Sequence, residues 1–185
     1  MEKGKEPQGK GIEKIGAVMV VGGGVGGMQA ALDLANSGFK VYLVEESSAI
    51  GGRMAQLDKT FPTNDCSMCT ISPKLVETGR HLNIQLMMDS EVRKVEGQAG
   101  NFSVTVRHKP RYIDLTKCNG CSECAQVCPV IIPSHFDQGM AKQRAAYKLY
   151  PQAVPNAFAI EKRGIAPCRD ACPSGQRAQG YIALI

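Results

Sequence analysis

Hydrophobic and polar positions are arranged in short blocks near the start of the chain. Residues 17–21 form a continuous apolar run of the kind found in buried parallel strands, and a glycine cluster follows them. From position 25 to about 37, apolar residues recur at helical spacing, at Met28, Ala31, Leu32 and Ala35, before Gly38 offers a C-cap. Residues 40–46 resemble a second strand. The pattern therefore predicts a βαβ unit of about 30 residues.

Strand-like alternation replaces the helical spacing further along the chain. Residues 81–108 contain a short apolar strand and then two alternating strands, 91–95 and 102–107, on either side of a turn at 97–101. These strands favour a small β-meander beside the βαβ unit. After residue 110 the apolar pattern weakens and cysteines become frequent.

Composition limits the classes of function. Of the 185 residues 43% are hydrophobic and 8 are Cys, and the formal net charge is +5. Aromatic residues make up 5% of the chain, Trp is absent and no basic run is interleaved with aromatics, which argues against nucleic-acid binding. The sequence has no apolar run near the ~20 residues of a membrane span and no signal-peptide pattern at its start. We expect a soluble, cytoplasmic protein, whose cysteines bind metal or take part in redox chemistry.

The glycine cluster between the first strand and the helix has the pattern Gly22-x-Gly24-x-x-Gly27. In this setting the first glycine permits a tight turn, the second lets the backbone approach a pyrophosphate, and the third lets the helix pack closely on the strand. The helix N-terminus favours a diphosphate, and Glu45 at the end of the next strand can accept hydrogen bonds from ribose hydroxyls. The pattern predicts a dinucleotide site, and the alternative is a glycine-rich turn without a ligand. Glu46 is expected to be a solvated side chain.

The turn after the second strand bears on which dinucleotide binds. Gly51, Gly52 and Arg53 follow Glu45 closely, which resembles the flavoproteins with two dinucleotide-binding domains, where such a turn helps to hold FAD. This resemblance implies that Gly52 and Arg53 contact the same diphosphate, and that the backbone near Val92 lies against the adenine. FAD is therefore favoured over NAD. The alternative for Arg53 is an ordinary surface arginine.

Residues 118–130, CNGCSECAQVCPV, contain the most specific motif in the sequence. The spacing Cys118-x-x-Cys121-x-x-Cys124-x-x-x-Cys128-Pro is that of bacterial ferredoxins, and thiolates are the soft ligands that iron–sulfur clusters take. A structural zinc site fits poorly, because it usually pairs two Cys-x-x-Cys elements at a longer separation. The run predicts one 4Fe–4S cluster.

A second, incomplete cysteine element follows at Cys168-x-x-x-Cys172-Pro. If ligands cross over as in two-cluster ferredoxins, Cys172 completes the cluster of the first three cysteines in the run, and Cys128 and Cys168 remain. Two thiols rarely suffice for a cube, so a second cluster needs donors from elsewhere or is absent. Residues 151–155 and 157–160 are expected to form the return strand before this element.

The remaining cysteines, Cys66-x-x-Cys69, come soon after the predicted FAD turn. Three interpretations stay open for them. They could form a redox dithiol or disulfide near a flavin, ligate a cluster together with other cysteines, or be two buried small residues.

Several segments together resemble the A-type subunits of heterodisulfide reductases. They are residues 22–45, 50–77, 118–130 and 151–161, and the likeness extends over about 15–162. It implies FAD in a thioredoxin-reductase-like domain with an inserted ferredoxin module, and transfer of electrons between flavin and clusters, which some members use for bifurcation. It carries FAD contacts onto Gly22, Gly24, Gly27, Glu45, Gly52 and Arg53, and cluster ligation onto Cys118, Cys121, Cys124 and Cys128.

The end of the chain departs from that family. Residues beyond about 163 resemble instead the iron–sulfur domain found in dihydropyrimidine dehydrogenase and in the small subunit of glutamate synthase. Because members of the reductase family continue for hundreds of residues, we expect an N-terminal fragment. Its expected parts are a flexible leader (1–14), a partial FAD-binding domain (15–110), a ferredoxin-like 4Fe–4S module (111–175) and the start of a truncated helix (176–185).

The predicted fold class is α/β, a Rossmann-like FAD-binding βαβ unit with a β-meander, plus a small α+β ferredoxin-like module. The predicted function is electron transfer between FAD and 4Fe–4S clusters in an oxidoreductase, with other redox subunits as partners and scope for a homodimer. One rival is a ferredoxin-type carrier whose FAD domain is only a docking scaffold. Another is a pyridine nucleotide-disulfide oxidoreductase that uses Cys66 and Cys69, although the sequence lacks a second glycine-rich βαβ unit for NAD(P). His81, His108 and His135 lie in unrelated contexts and predict no acid–base site.

Overall fold

The computed structural model describes residues 16–162, 164, 165 and 167–177. The predicted leader (1–14) and residues 178–185 of the predicted terminal helix lie outside that range. No helix in the described part of the chain is long and apolar enough to cross a membrane.

The predicted βαβ unit is present. It consists of β1 (Ala17–Val21), α1 (Val25–Asn36) and β2 (Lys40–Val44), and the two strands pair in parallel with Ala17 opposite Lys40. The helical positions predicted to be apolar are the ones that face the core. They are at most 3% exposed: Met28, Ala31, Leu32 and Ala35.

A second helix packs beside α1 and leads into a third strand. α2 (Ser67–Arg80) buries Ile71 and Leu75 almost completely, and β3 (Ile84–Met87) then pairs with β2 in parallel, giving the order β1-β2-β3. The sequence does not predict α2, because the segment contains Ser, Thr and Pro73, which have low helix propensity.

The alternating segment forms an antiparallel hairpin. β4 (Ser90–Gln98) and β5 (Asn101–His108) pair with Ser90 opposite His108, and they include both predicted strands. The preceding short strand, β3, belongs to the parallel sheet, so the predicted meander consists of two strands. The Ser90 N–H donates to the Glu45 carbonyl at 2.9 Å and fixes the hairpin beside the end of β2.

Short elements make up the cysteine-rich part. α3 (Glu123–Val127) precedes two small antiparallel pairs, and α4 (Pro167–Asp170) follows them. The pairs are β6 (Ile131–Pro133) with β7 (Lys142–Arg144), and β8 (Ala146–Tyr147) with β9 (Ala159–Ile160). Of the predicted return strand, only β9 is a strand.

This cysteine-rich part shares the core of the βαβ unit. Tyr150 and Ala153 are 4% and 2% exposed within the main hydrophobic cluster. The Tyr150 hydroxyl donates to the Ile50 carbonyl, and the Ile50 N–H donates to the Val154 carbonyl at 2.9 Å. Ile50 directly precedes the Gly-Gly-Arg turn, so this packing connects the turn to the cysteine-rich part.

Candidate functional site

The glycine-rich turn joins β1 to α1, and each motif glycine has a separate role in it. Gly22 has a φ of +99°, which favours glycine, and its N–H donates to the Val44 carbonyl at 2.8 Å. An added Cβ at Gly27 would overlap the Gly22 carbonyl oxygen. At Gly24, the N-cap of α1, an added Cβ would meet no atom within 4 Å. Open space therefore borders the backbone where the motif requires room for a diphosphate.

The Glu45 carboxylate reaches back to this turn. The Gly23 N–H donates to Oε2 at 2.5 Å, and the N–H and hydroxyl of Ser47 donate to Oε1 at 2.9 and 2.8 Å. A carboxylate offers about four acceptor positions. Oε2 accepts from the Gly23 N–H alone among the described hydrogen bonds, so one of its acceptor positions remains open. Glu46 is instead 73% exposed, and the hydrogen bond and positive charge of Lys109 lower its pKa.

The second glycine turn packs directly against the first. The Gly51 N–H donates to the Gly23 carbonyl at 2.8 Å, and an added Cβ at Gly52 would lie 2.9 Å from the Gly24 Cα. Arg53 lies in the 3₁₀ helix that follows (Gly52–Gln56). Its guanidinium is exposed and donates to the Gln56 side-chain oxygen at 3.1 Å. Two segments about 28 residues apart in sequence thus provide backbone to one small region.

A cleft of about 850 Å³ opens beside the second turn, and Gly22, Gly24 and Gly27 of the first turn do not line it. Glu45, Gly52 and Arg53 line it, together with residues 109–112 and 159–162 from the segments that flank the cysteine run. Such a volume is within the range of about 300–1,000 Å³ that is usual for small-molecule sites. Asp89 also lines the cleft, whereas Val92 does not. The structure therefore gathers three predicted FAD contacts into one cavity and adds residues that the motif does not include.

The first three cysteines of the run lie just before and within the start of α3. The Phe158 N–H donates to the Cys118 sulfur at 3.4 Å, and hydrogen bonds of this type tune cluster thiolates. Burial raises the pKa of the Cys124 thiol, and the nearby thiols of Cys118 and Cys121 raise it further.

The donor set at the cysteine run can be compared with a cluster by its chemistry. Among the described residues, no three Cys, His, Asp or Glu side chains converge on one metal position. Soft thiols within one short loop are the chemistry that such a cluster requires.

The other free cysteines have different surroundings. The Cys128 sulfur lies 3.7 Å from the Val130 carbonyl oxygen, and a backbone hydrogen bond from Ala146 is the main cause that lowers its pKa. Cys168 is exposed in α4. The Cys172 sulfur lies 3.3 Å from the Ser174 hydroxyl, which lowers the Cys172 pKa. Which of Cys128 and Cys172 would be the fourth ligand stays a prediction.

Cys66 and Cys69 form a disulfide at the start of α2, with their Cα atoms 5.2 Å apart. Cys66 is the N-cap of the helix, and both residues are exposed. The Ser67 hydroxyl donates to the Met54 carbonyl at 2.5 Å, which attaches the pair to the 3₁₀ helix that begins in the Gly-Gly-Arg turn. The N-terminus of a helix stabilises the thiolate form of a cysteine, and this setting is common among redox-active cysteine pairs.

The motifs did not identify three residues of the site. Gly23 and Ser47 hold the Glu45 carboxylate, and Arg111 lies buried at the edge of the cleft. The position of Ser47, two residues after the acidic strand end, is a local signal. For Arg111 the sequence gives none, because its partners lie up to 63 residues away.

Residues 17–130 match the family model described as FAD dependent oxidoreductase, which is more than half of the chain. The chain belongs to this family. The match confirms the prediction of a Rossmann-like α/β fold in an FAD-dependent oxidoreductase.

Curated relatives narrow the resemblance. Over 142 residues the chain is 56% identical to an A-type iron–sulfur subunit of the CoB–CoM heterodisulfide reductase of Methanopyrus kandleri, an alignment that covers 77% of this chain and 22% of that protein. Over 150 residues it is 53% identical to the A-type subunit of the H2:CoB–CoM heterodisulfide, ferredoxin reductase of Methanothermobacter marburgensis, covering 81% and 23%. The predicted resemblance to the A-type subunits of heterodisulfide reductases is confirmed. The chain spans less than a quarter of the length of these two relatives.

Among solved structures, the chain is similar to L-proline dehydrogenase from P. horikoshii. The TM-score is 0.42 at 27% identity, and the likeness covers 52% of this chain and 20% of that one.

Proposed function

We propose that this chain is the part of a heterodisulfide reductase-like oxidoreductase in which electrons pass between FAD and a 4Fe–4S cluster. One observation carries the proposal. Glu45 and Arg53, expected to contact FAD, line the same cleft as residues 159–162, and those residues directly follow the Phe158 amide that donates to Cys118. The predicted FAD contacts and the peptide that contacts Cys118 are therefore neighbours in the fold.

The residues of the FAD site would bind and orient the adenosine diphosphate part of the cofactor. Gly24 and the N-terminal amides of α1 would hold the diphosphate, with Gly52 and Arg53 on its other side. The free acceptor position of Glu45 would take a ribose hydroxyl. When bound, FAD supplies exchange between two-electron and one-electron steps, which clusters alone do not perform.

The cluster site would use Cys118, Cys121 and Cys124, with Cys128 or Cys172 as the fourth ligand. The Phe158 N–H would stabilise the negative charge on the Cys118 sulfur. Cys168 is a candidate ligand of a second cluster, whose remaining donors would come from outside the run.

Partner redox subunits follow from the same proposal, because a one-electron relay requires a donor and an acceptor. The M. marburgensis relative is named for H2, a CoB–CoM heterodisulfide and ferredoxin. This name supports a role for our chain in a complex that divides electrons between two acceptors.

For Cys66 and Cys69 we propose a dithiol–disulfide pair rather than a ligand pair. Their sulfurs are bonded to each other, both residues are exposed, and the pair is attached to the FAD turn through Ser67. A disulfide takes up two electrons and two protons and becomes two thiols, which matches the two-electron capacity of a reduced flavin.

The flavin half of the proposal is tested by expressing the 185-residue chain without oxygen and measuring its absorption spectrum and flavin content. We expect FAD at a near-stoichiometric level in the unsubstituted chain. Gly24→Ala should weaken FAD binding, because the added methyl group would occupy the space in which the diphosphate is expected to bind. Gly26→Ala is the matched control, since a Cβ there also meets no atom within 4 Å but lies inside the helix. Iron–sulfur absorption without flavin would support the ferredoxin-type carrier instead.

The cluster half is tested by counting iron in cysteine-to-serine variants of the same anaerobic preparation. We expect Cys118→Ser to lose the cluster. Comparing Cys128→Ser with Cys172→Ser then identifies the fourth ligand, since only the true ligand should lower the iron content. A preparation of the unsubstituted chain without iron would refute the cluster assignment.

A further inference from the structure

Arg111 is a buried cation between the two proposed cofactor sites. Its side chain is only 6% exposed, although a guanidinium carries five N–H donors and a full positive charge. Burying such a group is costly unless its donors are paired. The burial of Arg111 therefore requires hydrogen-bond acceptors and a carboxylate close to its guanidinium.

The partners of Arg111 come from both parts of the chain. Nη1 donates to the Ser48 carbonyl at 2.8 Å and to the Asp89 carboxylate at 3.1 Å. On the cysteine-rich side, Nε donates to the Phe158 carbonyl at 2.8 Å and Nη2 to the Ala157 carbonyl at 2.9 Å. The planar fork of arginine reaches these two successive carbonyls together, which the single ammonium of lysine cannot do.

One of these contacts lies on the peptide group that faces the predicted cluster ligand. The Ala157 carbonyl and the Phe158 N–H belong to the same peptide unit. Arg111 donates to its oxygen, and its N–H donates to the Cys118 sulfur at 3.4 Å. Hydrogen bonds in a chain polarise one another, so the guanidinium makes this N–H a stronger donor toward the sulfur.

The opposite end of Arg111 lies at the FAD side of the cleft. Ser48 is 3% exposed and comes three residues after Glu45, and both residues line the same cleft as Arg111. The guanidinium therefore connects the loop that follows the ribose-binding carboxylate to the peptide that contacts Cys118.

We propose that Arg111 is a positioning residue that polarises the Ala157–Phe158 peptide toward Cys118 and so raises the reduction potential of the cluster bound there. The inference rests on the proposed cluster at Cys118. Reduction adds one electron to the cluster, supplied in the test by the titrant, and no covalent bond forms or breaks. A stronger N–H donor and a nearby positive charge both favour the more negative reduced cluster. Asp89 beside Arg111 opposes that charge.

The test is a redox titration of the anaerobically prepared 185-residue chain, followed by electron paramagnetic resonance of the reduced cluster. In Arg111→Gln we expect the equilibrium constant for one-electron reduction to fall at least tenfold, which corresponds to about 59 mV. Arg111→Lys keeps the charge but loses the fork, so its potential should fall less. Asp89→Asn removes the opposing charge and should shift the potential upward.

Iron and flavin contents measured on each variant separate the possible outcomes. An iron-loaded Arg111→Gln chain whose potential matches that of the unsubstituted chain overturns the inference, as does a downward shift in Asp89→Asn. If Arg111→Gln does not retain iron, the opposite shifts expected for Arg111→Lys and Asp89→Asn decide the question. Absence of iron from the unsubstituted chain would instead reject the cluster itself.

Discussion

The approach of α1 to β1 predicts a large loss of stability in Gly27→Ala. The added methyl carbon would overlap the Gly22 carbonyl oxygen and lie 3.0 Å from the carbonyl carbon. Overpacking of this kind costs about 1–3 kcal/mol, and the better helix propensity of Ala returns about 1 kcal/mol. Because the overlap is with backbone, no side-chain rotation relieves it, and the cost lies at the upper end of the range. We expect the free energy of unfolding to fall by about 2 kcal/mol.

Urea unfolding followed by circular dichroism measures this loss. Gly26→Ala is the control one residue earlier in the same helix, where the added methyl group meets no atom within 4 Å. That variant should gain up to about 1 kcal/mol from helix propensity. If the unfolding free energy of Gly27→Ala falls by less than about 0.5 kcal/mol, the size of an ordinary surface substitution, the described packing is wrong.

Three further predictions concern titration, FAD binding and the cysteine pair. Burial raises the pKa of Tyr150 to about 12 from 10.0, so the unfolded chain loses this proton first as pH rises. The free energy of unfolding should therefore fall by about 2–3 kcal/mol between these pH values, a fall that Tyr150→Phe removes in urea titrations at each pH. Glu45→Gln should raise the Kd for FAD about tenfold in a flavin fluorescence titration. Glu46→Gln is the control and should leave the Kd unchanged. Equal effects of the two substitutions would contradict the proposed role of the Glu45 carboxylate. Replacing Cys66 and Cys69 with Ser should leave the iron content unchanged, and a fall in iron would make them ligands.

The sequence predicts the parts of this fold whose signals are local. The apolar run of β1, the helical spacing of α1 and the glycines between them all belong to one continuous βαβ unit. Hydrophobic periodicity identifies the buried face of α1 because that face depends on a repeat of 3.6 residues and not on distant partners. The glycine pattern likewise predicts close packing of the helix on the strand, and the structure places Gly27 where an added Cβ would overlap the Gly22 carbonyl oxygen.

Tertiary contacts decide the rest. α2 forms although Pro73 and several hydroxyl residues disfavour a helix, because Ile71 and Leu75 are buried against the core. Within residues 151–160 only Ala159–Ile160 forms a strand. The start of this segment packs into the hydrophobic core through Ala153 and the preceding Tyr150 instead of pairing as a strand. The role of Arg111 could not be predicted from the sequence for the same reason. Its partners are distant along the chain, and no spacing rule relates them to Arg111.

Charge in the cleft explains why Arg53 is the cation expected to bind a diphosphate. Lys109 pairs with Glu46 at 2.7 Å, and Arg111 pairs with Asp89 at 3.1 Å, so nearby carboxylates already balance both charges. Arg53 instead donates to the neutral side chain of Gln56 and is exposed. A guanidinium bound to a neutral amide can exchange that contact for a phosphate without leaving a carboxylate unpaired. Lys162, the remaining Lys or Arg that lines the cleft, lies over the Tyr112 ring with its Nζ 5.9 Å from the ring centroid. We therefore propose Arg53 as the cation that contacts the diphosphate.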